Sequence, residues 1–439
     1  MLRLFAVLLA QDPALGHWQG YWTRDADTLL VTLEIQPGDS ANRYRATFSS
    51  DRVRVTGIPF SSVERDGCCR IRLTLRGDAT TSVFDGMIAK DSITGTFVEA
   101  GAKGMFALRR GPLNRATLRE EEVQFSNGDV RLSGTLILPS SAPPYAAIVM
   151  AHGSGAEGRW ANRFLAQRFA EAGIAALIFD KRGVGQSSGD WRAVGFEELA
   201  ADVAGGVAML RARRDIRARN IGLFGHSQGG TILPLIAEAA GGVAFVIASA
   251  ASGVPTDSAE RFSLRNATGF STLPADEAAQ ANQYVEAVVA VAYHGAPRAR
   301  LDSLAAALAV KPWYFPLPPP TGHYWAFSRR IAAYAPQLHW MQVTAPVLLM
   351  YGSVDQRVPA EASAQAIRGA LAAGHRDPPT VCLYDGADHT ARMRRPGDVW
   401  PRNAAGYLED LIIWMRGAAG LDRRGAPAVG LSGACSRRP

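Results

Sequence analysis

The first part of the chain alternates apolar and polar residues with a period of two. The clearest run begins at Leu29, where every second residue is apolar through Ile35, and residues 84–88 and 93–97 form a similar pair around a short polar turn. Such alternation between Gly-, Asp- and Ser-rich turns is typical of antiparallel β structure. We therefore predict a small all-β domain, a barrel or a sandwich, over residues 17–110.

The pattern changes after residue 120, where buried apolar runs alternate with amphipathic helical stretches. The apolar runs fall at 146–151, 174–179, 220–224, 243–248, 347–351 and 380–384, and the helical stretches at 160–172, 196–213, 231–239, 360–372 and 404–415. This alternation predicts an α/β domain with a doubly wound, mostly parallel sheet over residues 120–416. The linker that joins it to the all-β domain is predicted at residues 111–119, which begin with Gly111-Pro112.

Two further segments do not fit the alternation. Residues 252–344 contain helical pieces near 276–293 and 299–309, followed by an aromatic and proline-rich stretch. An insertion of this size between strands of a sheet is typical of a lid. Residues 417–439 are rich in Gly, Ala, Arg and Pro without periodicity, so we expect a disordered tail.

The N-terminus has the outline of a short signal peptide within residues 1–16. A Met-Leu-Arg start precedes the apolar run 4–10 and a polar Gln11-Asp12. This predicts export to the periplasm or the medium. The alternative is an apolar N-terminal strand or a misassigned start codon, which would leave a cytoplasmic protein. No other run approaches about 18 apolar residues, so no membrane span is expected.

Composition argues against nucleic-acid partners despite a net charge of +7. Only four of the 47 basic residues are lysine, and the arginines are scattered through an alanine-rich chain rather than gathered into a stripe. Four cysteines are too few for a disulfide framework, and the adjacent Cys68 and Cys69 would pair only with strain. We expect isolated thiols and no metal site. The oligomeric state cannot be read from the sequence.

The segment Gly225-His226-Ser227-Gln228-Gly229 fits the pattern G-x-S-x-G. A buried strand leads directly into it and a helix follows, which is the context of a nucleophile elbow. Small residues flank the serine there because its backbone is strained. We predict Ser227 as a nucleophile.

A serine nucleophile needs a base that is itself oriented by an acid, in the chain order Ser, Asp or Glu, His. Asp355 and His389 satisfy this order, and each follows a predicted strand. Asp385 and Asp388 are alternative acids by position. Asp388 adjoins His389, so their side chains should diverge, whereas Asp355 comes from a separate strand end and can approach the imidazole from the side opposite the serine.

The loop His152-Gly153-Ser154-Gly155 follows the apolar run 146–151. Its position corresponds to a loop that supplies one oxyanion N–H, the other coming from the residue after the nucleophile. We predict the amides of Ser154 and Gln228 for these roles. An ordinary glycine turn is the alternative.

Together these segments resemble a known family. "AHGSG", "FDKRGVGQSSG", "GHSQGG", "GSVDQRVP" and "GADH" make residues 120–416 similar to bacterial α/β-hydrolases of the esterase and serine-aminopeptidase-like group. The resemblance implies an α/β-hydrolase fold and hydrolysis without a metal or cofactor. It also implies a bracing loop that includes Asp180, Arg182, Gly183 and Gly185. A serine at the elbow, where dehalogenases and epoxide hydrolases have aspartate, argues against those activities.

The sequence therefore predicts a serine hydrolase that cleaves small carboxylic esters through an acyl-enzyme. Lid aromatics are expected to line the substrate pocket, with internal packing of the lid as the alternative: Trp313, Tyr314, Phe315 and Trp325, with Tyr324 and Phe327 nearby. An amidase or aminopeptidase is the rival within enzymes, but it needs an acidic anchor that no lid carboxylate clearly supplies. A ligand-binding protein with a vestigial hydrolase domain is the rival from another class.

Overall fold

The computed structural model describes residues 12–39, 44–77, 80–112, 118–422 and 430–436. They form two compact units, the first containing the N-terminal residues to 117 together with 163–165 and 393–403, and the second containing the remainder. The apolar run 4–10, on which the export prediction depends, lies outside the described residues. So does most of the predicted linker, residues 113–117.

The first unit is built on one antiparallel sheet. Its nine described strands are β1 (Gly16–Arg24), β2 (Asp27–Pro37), β3 (Tyr44–Ser50), β4 (Val55–Pro59), β5 (Ser62–Asp66), β6 (Arg70–Arg76), β7 (Thr81–Ala89), β8 (Ser92–Glu99) and β9 (Ala102–Arg110), in the order β4-β3-β2-β1-β9-β8-β7-β6-β5. The edge strands β4 and β5 are consecutive in the chain, so the sheet must curl until its edges approach one another.

The apolar residues of the period-two pattern form the inner face of this sheet. Leu29, Val31 and Leu33 of β2 are each at most 3% exposed, whereas the residues between them face solvent. The hairpin predicted around Lys90-Asp91 is present as β7 and β8, with Phe84 opposite Phe97. Aromatic rings fill the interior, and the ring centroids of these two phenylalanines lie 5.0 Å apart.

A buried carboxylate ties residues 393–403 into the first unit. Asp27 accepts hydrogen bonds from Arg52 at 2.6 Å and from the backbone N–H groups of Val399 and Trp400 at 2.8 and 3.1 Å. The Arg52 guanidinium is the main reason that the pKa of Asp27 is held well below its usual range. The sequence predicts residues 393–403 as part of the α/β domain at 120–416, so this part of the domain prediction differs from the structure.

The second unit is an α/β structure. Its strands are β10 (Arg119–Asn127), β11 (Val130–Leu138), β12 (Tyr145–Ala151), β13 (Ile174–Phe179), β14 (Ile216–His226), β15 (Val246–Ser249), β16 (Val347–Gly352), β17 (Thr380–Tyr384) and β20 (Cys435–Ser436). The short strands β18 (Arg392–Met393) and β19 (Arg402–Asn403) pair with each other at the ends of the segment 393–403, which belongs to the first unit. Its helices are α1 (Arg163–Glu171), α2 (Phe196–Arg211), α3 (Gln228–Thr231), α4 (Leu233–Ala239), α5 (Thr256–Ala267), α6 (Ala275–His294), α7 (Ala299–Leu308), α8 (His323–Ile331), α9 (Pro336–Trp340), α10 (Ala360–Ala373) and α11 (Tyr407–Ala418), with short 3-10 turns at Arg159–Asn162, Trp191–Ala193 and Phe270–Thr272.

The large sheet has the order β10-β11-β13-β12-β14-β15-β16-β17-β20, and its strands from β13 through β17 run parallel. All residues of β12 and β13 are buried, which explains why they read as unbroken apolar runs. The helices α5 to α9 form one insertion between β15 and β16. The predicted fold class, a mostly parallel sheet with a helical insertion after an all-β domain, is confirmed.

The cysteine prediction is wrong, and so is part of the tail prediction. Cys68 and Cys69 form a disulfide, and Cys382 of β17 is bonded to Cys435. The latter bond lies where β20 pairs antiparallel with β17, so residues 435–436 form an edge strand of the sheet instead of a disordered tail. Composition alone could not reveal this, because order here comes from a strand edge and a cross-link distant in sequence.

The two disulfides should differ in their contribution to stability. The Cys382–Cys435 bond closes a loop over a sequence separation of 53, whereas Cys68 and Cys69 are adjacent. A cross-link stabilises a protein mainly by restricting the conformations of the unfolded chain. Removing the Cys382–Cys435 bond should therefore lower the free energy of unfolding by up to about 4 kcal/mol. The double variant Cys68→Ser/Cys69→Ser is the matched control, and we expect less than about 1 kcal/mol from it. Urea denaturation measures both values, and equal losses would contradict the prediction.

Among the described residues, no helix combines the length and apolar character needed to cross a membrane.

Candidate active site

Ser227 occupies a strained turn at the carboxyl end of β14. Its backbone has φ 56° and ψ −122°, a region that residues with a Cβ rarely adopt, and α3 begins at the next residue. The flanking glycines permit this turn. A Cβ on Gly225 would lie 2.4 Å from the backbone of Gly229, and a Cβ on Gly229 would lie 2.6 Å from the carbonyl of His152. The local geometry is that of the predicted elbow.

Ser227, His389 and Asp355 form one hydrogen-bonded line. The distance from His389 Nε2 to Ser227 Oγ is 2.9 Å, and that from His389 Nδ1 to Asp355 Oδ2 is 2.8 Å. A carboxylate can only accept, so Nδ1 carries the proton and Nε2 of the neutral ring accepts from the serine hydroxyl. The Asp355 side chain is fully buried and that of His389 is 19% exposed. A base aimed at the serine and an acid behind that base are what nucleophilic catalysis requires.

The structure distinguishes the three carboxylates that the sequence offered as acids. Asp355 Oδ1 accepts from the N–H groups of Arg357 and Val358 at 2.7 and 3.0 Å, which fixes the carboxylate with its other oxygen toward His389. Asp388 instead accepts from the backbone of Thr390 and Arg392. Asp385 contacts Ser353 at 3.3 Å. In the described contacts only Asp355 reaches the imidazole.

The backbone N–H groups of Ser154 and Gln228, the two predicted for the oxyanion, have no acceptor within the described part of the chain, and the same holds for Gly229 and Gly230 in the first turn of α3. Gln228 is the first residue of α3, where helix geometry leaves N–H groups unpaired. At the residue before Ser154, the Gly153 N–H donates to the Glu157 carboxylate, with 2.7 Å between Gly153 N and Glu157 Oε2. His152 is held at Phe179, its Nε2 lying 2.6 Å from that carbonyl oxygen, and burial lowers the pKa of its imidazole to about 3.

The bracing loop implied by the family resemblance directly follows β13. Asp180 binds the Arg159 guanidinium at 3.0 Å, and Arg182 forms a buried pair with Asp202 at 2.6 Å. Gly183 and Gly185 have positive φ angles, and a Cβ on Gly185 would lie 2.5 Å from the Asp180 carboxylate. The charged side chains of this loop are thus ion-paired with Arg159 and Asp202, and none of their described contacts is with Ser227.

The predicted substrate aromatics pack against one another and their own insertion. Tyr314 and Phe315 lie with their rings 5.3 and 5.1 Å from that of Tyr284. Trp313 is 6% exposed, and Trp325, 3% exposed, donates its indole N–H to Pro319 O at 3.0 Å. These contacts favour the packing alternative for the two tryptophans. Tyr314 and Phe315 are only half-buried, and their role in binding stays a prediction.

Two charged residues beside the loop that carries Ser154 were not predicted from the sequence, and a third, Glu260, was one of the lid carboxylates set aside as an amine anchor. Lys181 and Glu157 contact the loop that carries Ser154. Glu260 lies on α5 of the insertion and accepts from the Tyr324 hydroxyl at 2.7 Å. Lys181 lies inside the motif "FDKRGVGQSSG", between the charged residues Asp180 and Arg182, and membership of this motif was the one signal available. Nothing in the spacing of Glu157 points to the site, and the sequence does not distinguish Glu260 from the other carboxylates of the insertion.

One group of potential metal ligands is present in the described residues. Cys382, Asp410 and Cys435 have ligand atoms within 4.8 Å of one another. The two sulfurs are bonded to each other, so neither is available as a thiolate.

The fold and the arrangement of these side chains define a hydrolase of the α/β-hydrolase superfamily. Residues 142–392, more than half of the chain, match the family model described as "Serine aminopeptidase, S33", and the chain belongs to this family.

Individual relatives match over shorter stretches. The quorum-quenching protein AidA of Acinetobacter baumannii is 27% identical over 212 residues, which cover 48% of this chain and 62% of AidA. The thiohydrolase AneE of Aspergillus aculeatus is 37% identical over 111 residues, 25% of this chain and 34% of AneE. Among solved structures, the Pyrococcus furiosus esterase Pf2001 superimposes with a TM-score of 0.40 and 19% identity, covering 62% of this chain and 85% of that one.

Proposed function

We propose that the protein hydrolyses carboxylic esters through an acyl-enzyme formed on Ser227. The observation that carries the proposal is the hydrogen-bonded line from Ser227 through His389 to Asp355, with the serine on a strained turn. His389 Nε2 takes the hydroxyl proton while Oγ attacks the ester carbonyl carbon. The oxygen of the tetrahedral intermediate then accepts from the amides of Gln228 and Ser154.

The second half of the cycle uses the same groups. His389 returns the proton to the departing alcohol oxygen as the C–O bond breaks, which leaves an acyl group on Ser227. Water then attacks the acyl carbon while His389 takes its proton; the bond from Ser227 Oγ to the acyl carbon breaks as His389 returns that proton to Oγ, and the acid product leaves. Asp355 keeps Nδ1 protonated and stabilises the imidazolium that forms in each step.

A matched set of substrates tests the proposal. Nitrophenyl esters of graded acyl length should be hydrolysed at rates well above background, and aminoacyl nitroanilides at least about 100-fold more slowly, since an amide is the poorer acyl donor. Tyr314→Ala and Phe315→Ala should change the preference among chain lengths if these half-buried rings contact the acyl group. Faster turnover of the anilides would reject the ester assignment.

A second candidate, an aminopeptidase, is favoured by one acidic side chain. Glu286, Glu277 and Asp302 of the insertion pair with Arg261, Lys311 and Arg298. Glu260 has a neutral partner, Tyr324, and burial raises the pKa of its carboxyl group. Its helix α5 contacts the Asp355 loop, where Asn266 donates to the Gln356 carbonyl at 3.2 Å. A carboxylate at this place could receive the amino group of a peptide substrate.

The variant Glu260→Gln separates the two candidates. For an esterase we expect kcat/KM on nitrophenyl esters to stay within about threefold, because the amide keeps an acceptor for the Tyr324 hydroxyl. Glu286→Gln, which removes an ion-paired carboxylate of the same insertion, is the control. A loss of tenfold or more on aminoacyl nitroanilides alone, seen in Glu260→Gln and absent from the control, would assign the aminopeptidase.

We also infer export to an oxidising compartment. The two disulfides support it, since such bonds persist mainly outside the reducing cytosol. Fractionation of the producing cells, with thiol alkylation before and after reduction, tests the inference. Cytoplasmic protein with four alkylated thiols would contradict it.

A further inference from the structure

A buried lysine contacts both segments that carry the amides predicted for the oxyanion, the loop 152–155 and the start of α3. Lys181, two residues after the end of β13, is 3% exposed. Its ammonium group donates to Gly153 O at 2.7 Å, Gly155 O at 3.0 Å and the side-chain oxygen of Gln228 at 3.3 Å. An ammonium has three protons, so these acceptors use its full donor capacity.

The first of these bonds fixes the direction of the Ser154 amide. The Gly153 carbonyl and the Ser154 N–H belong to one planar peptide unit, and in a trans peptide they point in opposite directions. Anchoring the carbonyl on Lys181 therefore turns the N–H away from the lysine. The bond to Gly155 O holds the peptide unit between residues 155 and 156, so the peptide units on either side of the Ser154–Gly155 peptide are tied to one cation.

Glu157 restrains the same loop by accepting a hydrogen bond from one of its backbone N–H groups. Its carboxylate accepts from Gly153 N at 2.7 Å, and its carbonyl accepts from Lys181 N at 3.2 Å. The amide of Gly153 is thereby occupied, and the neighbouring amide of Ser154 is left for another acceptor. A cation and a carboxylate thus fix consecutive peptide units in a defined orientation.

We propose that Lys181 is a positioning residue for the oxyanion hole, with Glu157 as its partner. The proposal rests on the acyl-transfer mechanism described above. In this role Lys181 makes no contact with the substrate. It acts through the Gly153–Ser154 peptide and through the side chain of Gln228, and its positive charge polarises that peptide so that the Ser154 N–H becomes a stronger donor.

The charge of Lys181 gives this role a pH dependence. Burial lowers the pKa of its ammonium group to about 8, and the nearby Glu157 carboxylate opposes that shift. His152, which burial keeps neutral, and Asp202, which is paired with Arg182, line the same cavity as Lys181, and its chain neighbour Asp180 is paired with Arg159. A neutral amine has two protons for three acceptors, so orientation should be lost as pH rises through about 8.

The variant Lys181→Met tests the proposal because it keeps the length of the side chain and removes its donors. We expect kcat on a nitrophenyl ester to fall about 10- to 100-fold with KM within about threefold, less than deletion of an oxyanion donor. The alkaline decline near pH 8 should also disappear from its kcat profile. Lys103→Met, at an exposed lysine of β9, should reproduce the wild-type profile. An unchanged kcat, or an unchanged alkaline decline, overturns the proposal.

Glu157→Gln provides a test that does not depend on the stability of the first variant. Glutamine keeps an oxygen for the Gly153 N–H and removes the charge that raises the pKa of Lys181. The alkaline decline of kcat should therefore move to lower pH. A decline that stays in place, or moves to higher pH, overturns the role of this pair.

Phosphonylation of Ser227 by a fluorophosphonate distinguishes this proposal from the proposed function. If the wild-type protein turns over no ester, the esterase assignment fails, yet the phosphoryl oxygen still needs the same amides. Labelling about tenfold slower in Lys181→Met than in Lys103→Met supports the positioning role. Equal labelling rates overturn it.

Discussion

Replacing Ser227 with alanine should reduce kcat for ester hydrolysis by a factor of at least about 10⁴. Alanine removes the Oγ atom that lies 2.9 Å from His389 Nε2, and the remaining amides cannot form an acyl-enzyme. The backbone at φ 56° is as strained for alanine as for serine, so the melting temperature should change by only a few degrees.

The matched control is Ser303→Ala, in which an exposed serine of α7 loses its bond to the Ala299 carbonyl. Steady-state kinetics and thermal melts of both variants should be measured together. If Ser227→Ala keeps more than a few per cent of wild-type activity, another residue is the nucleophile.

Replacing Asp355 with asparagine should lower kcat by about 100- to 10,000-fold. The Arg357 and Val358 amides need an acceptor, so they should hold the oxygen of the new side chain and leave its NH₂ group facing His389 Nδ1. Nδ1 must then accept, which places the ring proton on Nε2. In that tautomer Nε2 cannot take the proton of Ser227.

Asp388→Asn is the matched control because it changes a carboxylate one residue from His389. Asp388 accepts from the backbone of its own turn, so this variant should change kcat by less than about threefold. Asp385→Asn should affect mainly stability. The three variants should be compared by kcat and melting temperature, and a larger kcat loss in a folded Asp388→Asn would show that the acid is misassigned.

Residues whose position follows from a strand and its end could be predicted from the sequence. Ser227, Asp355 and His389 each follow an apolar run, and the carboxyl ends of parallel strands meet at one edge of a sheet. The hydrogen-bonded line among them is consistent with that rule. The β7–β8 hairpin was equally predictable, because alternation and a polar turn are local features.

Features that depend on contacts between distant loops could not be predicted in this way. Lys181 meets Gly153 across 28 positions, and Cys435 meets Cys382 across 53. Neither contact leaves a periodic trace in the sequence. The association of residues 393–403 with the first unit depends on the buried carboxylate of Asp27, which the sequence presents only as a polar residue at the start of a strand.

During turnover Ser227 should become covalently acylated. Intact-protein mass spectrometry after rapid acid quenching of a reaction with nitrophenyl acetate tests it, with peptide mapping to locate the adduct. We expect an added acetyl group on Ser227 that is absent from Ser227→Ala and accumulates in Asp355→Asn only slowly. Turnover without any adduct, in wild-type protein that a fluorophosphonate also fails to label, would contradict the acyl-enzyme mechanism. A protein that is neither labelled nor active would indicate a binding function on a vestigial hydrolase domain.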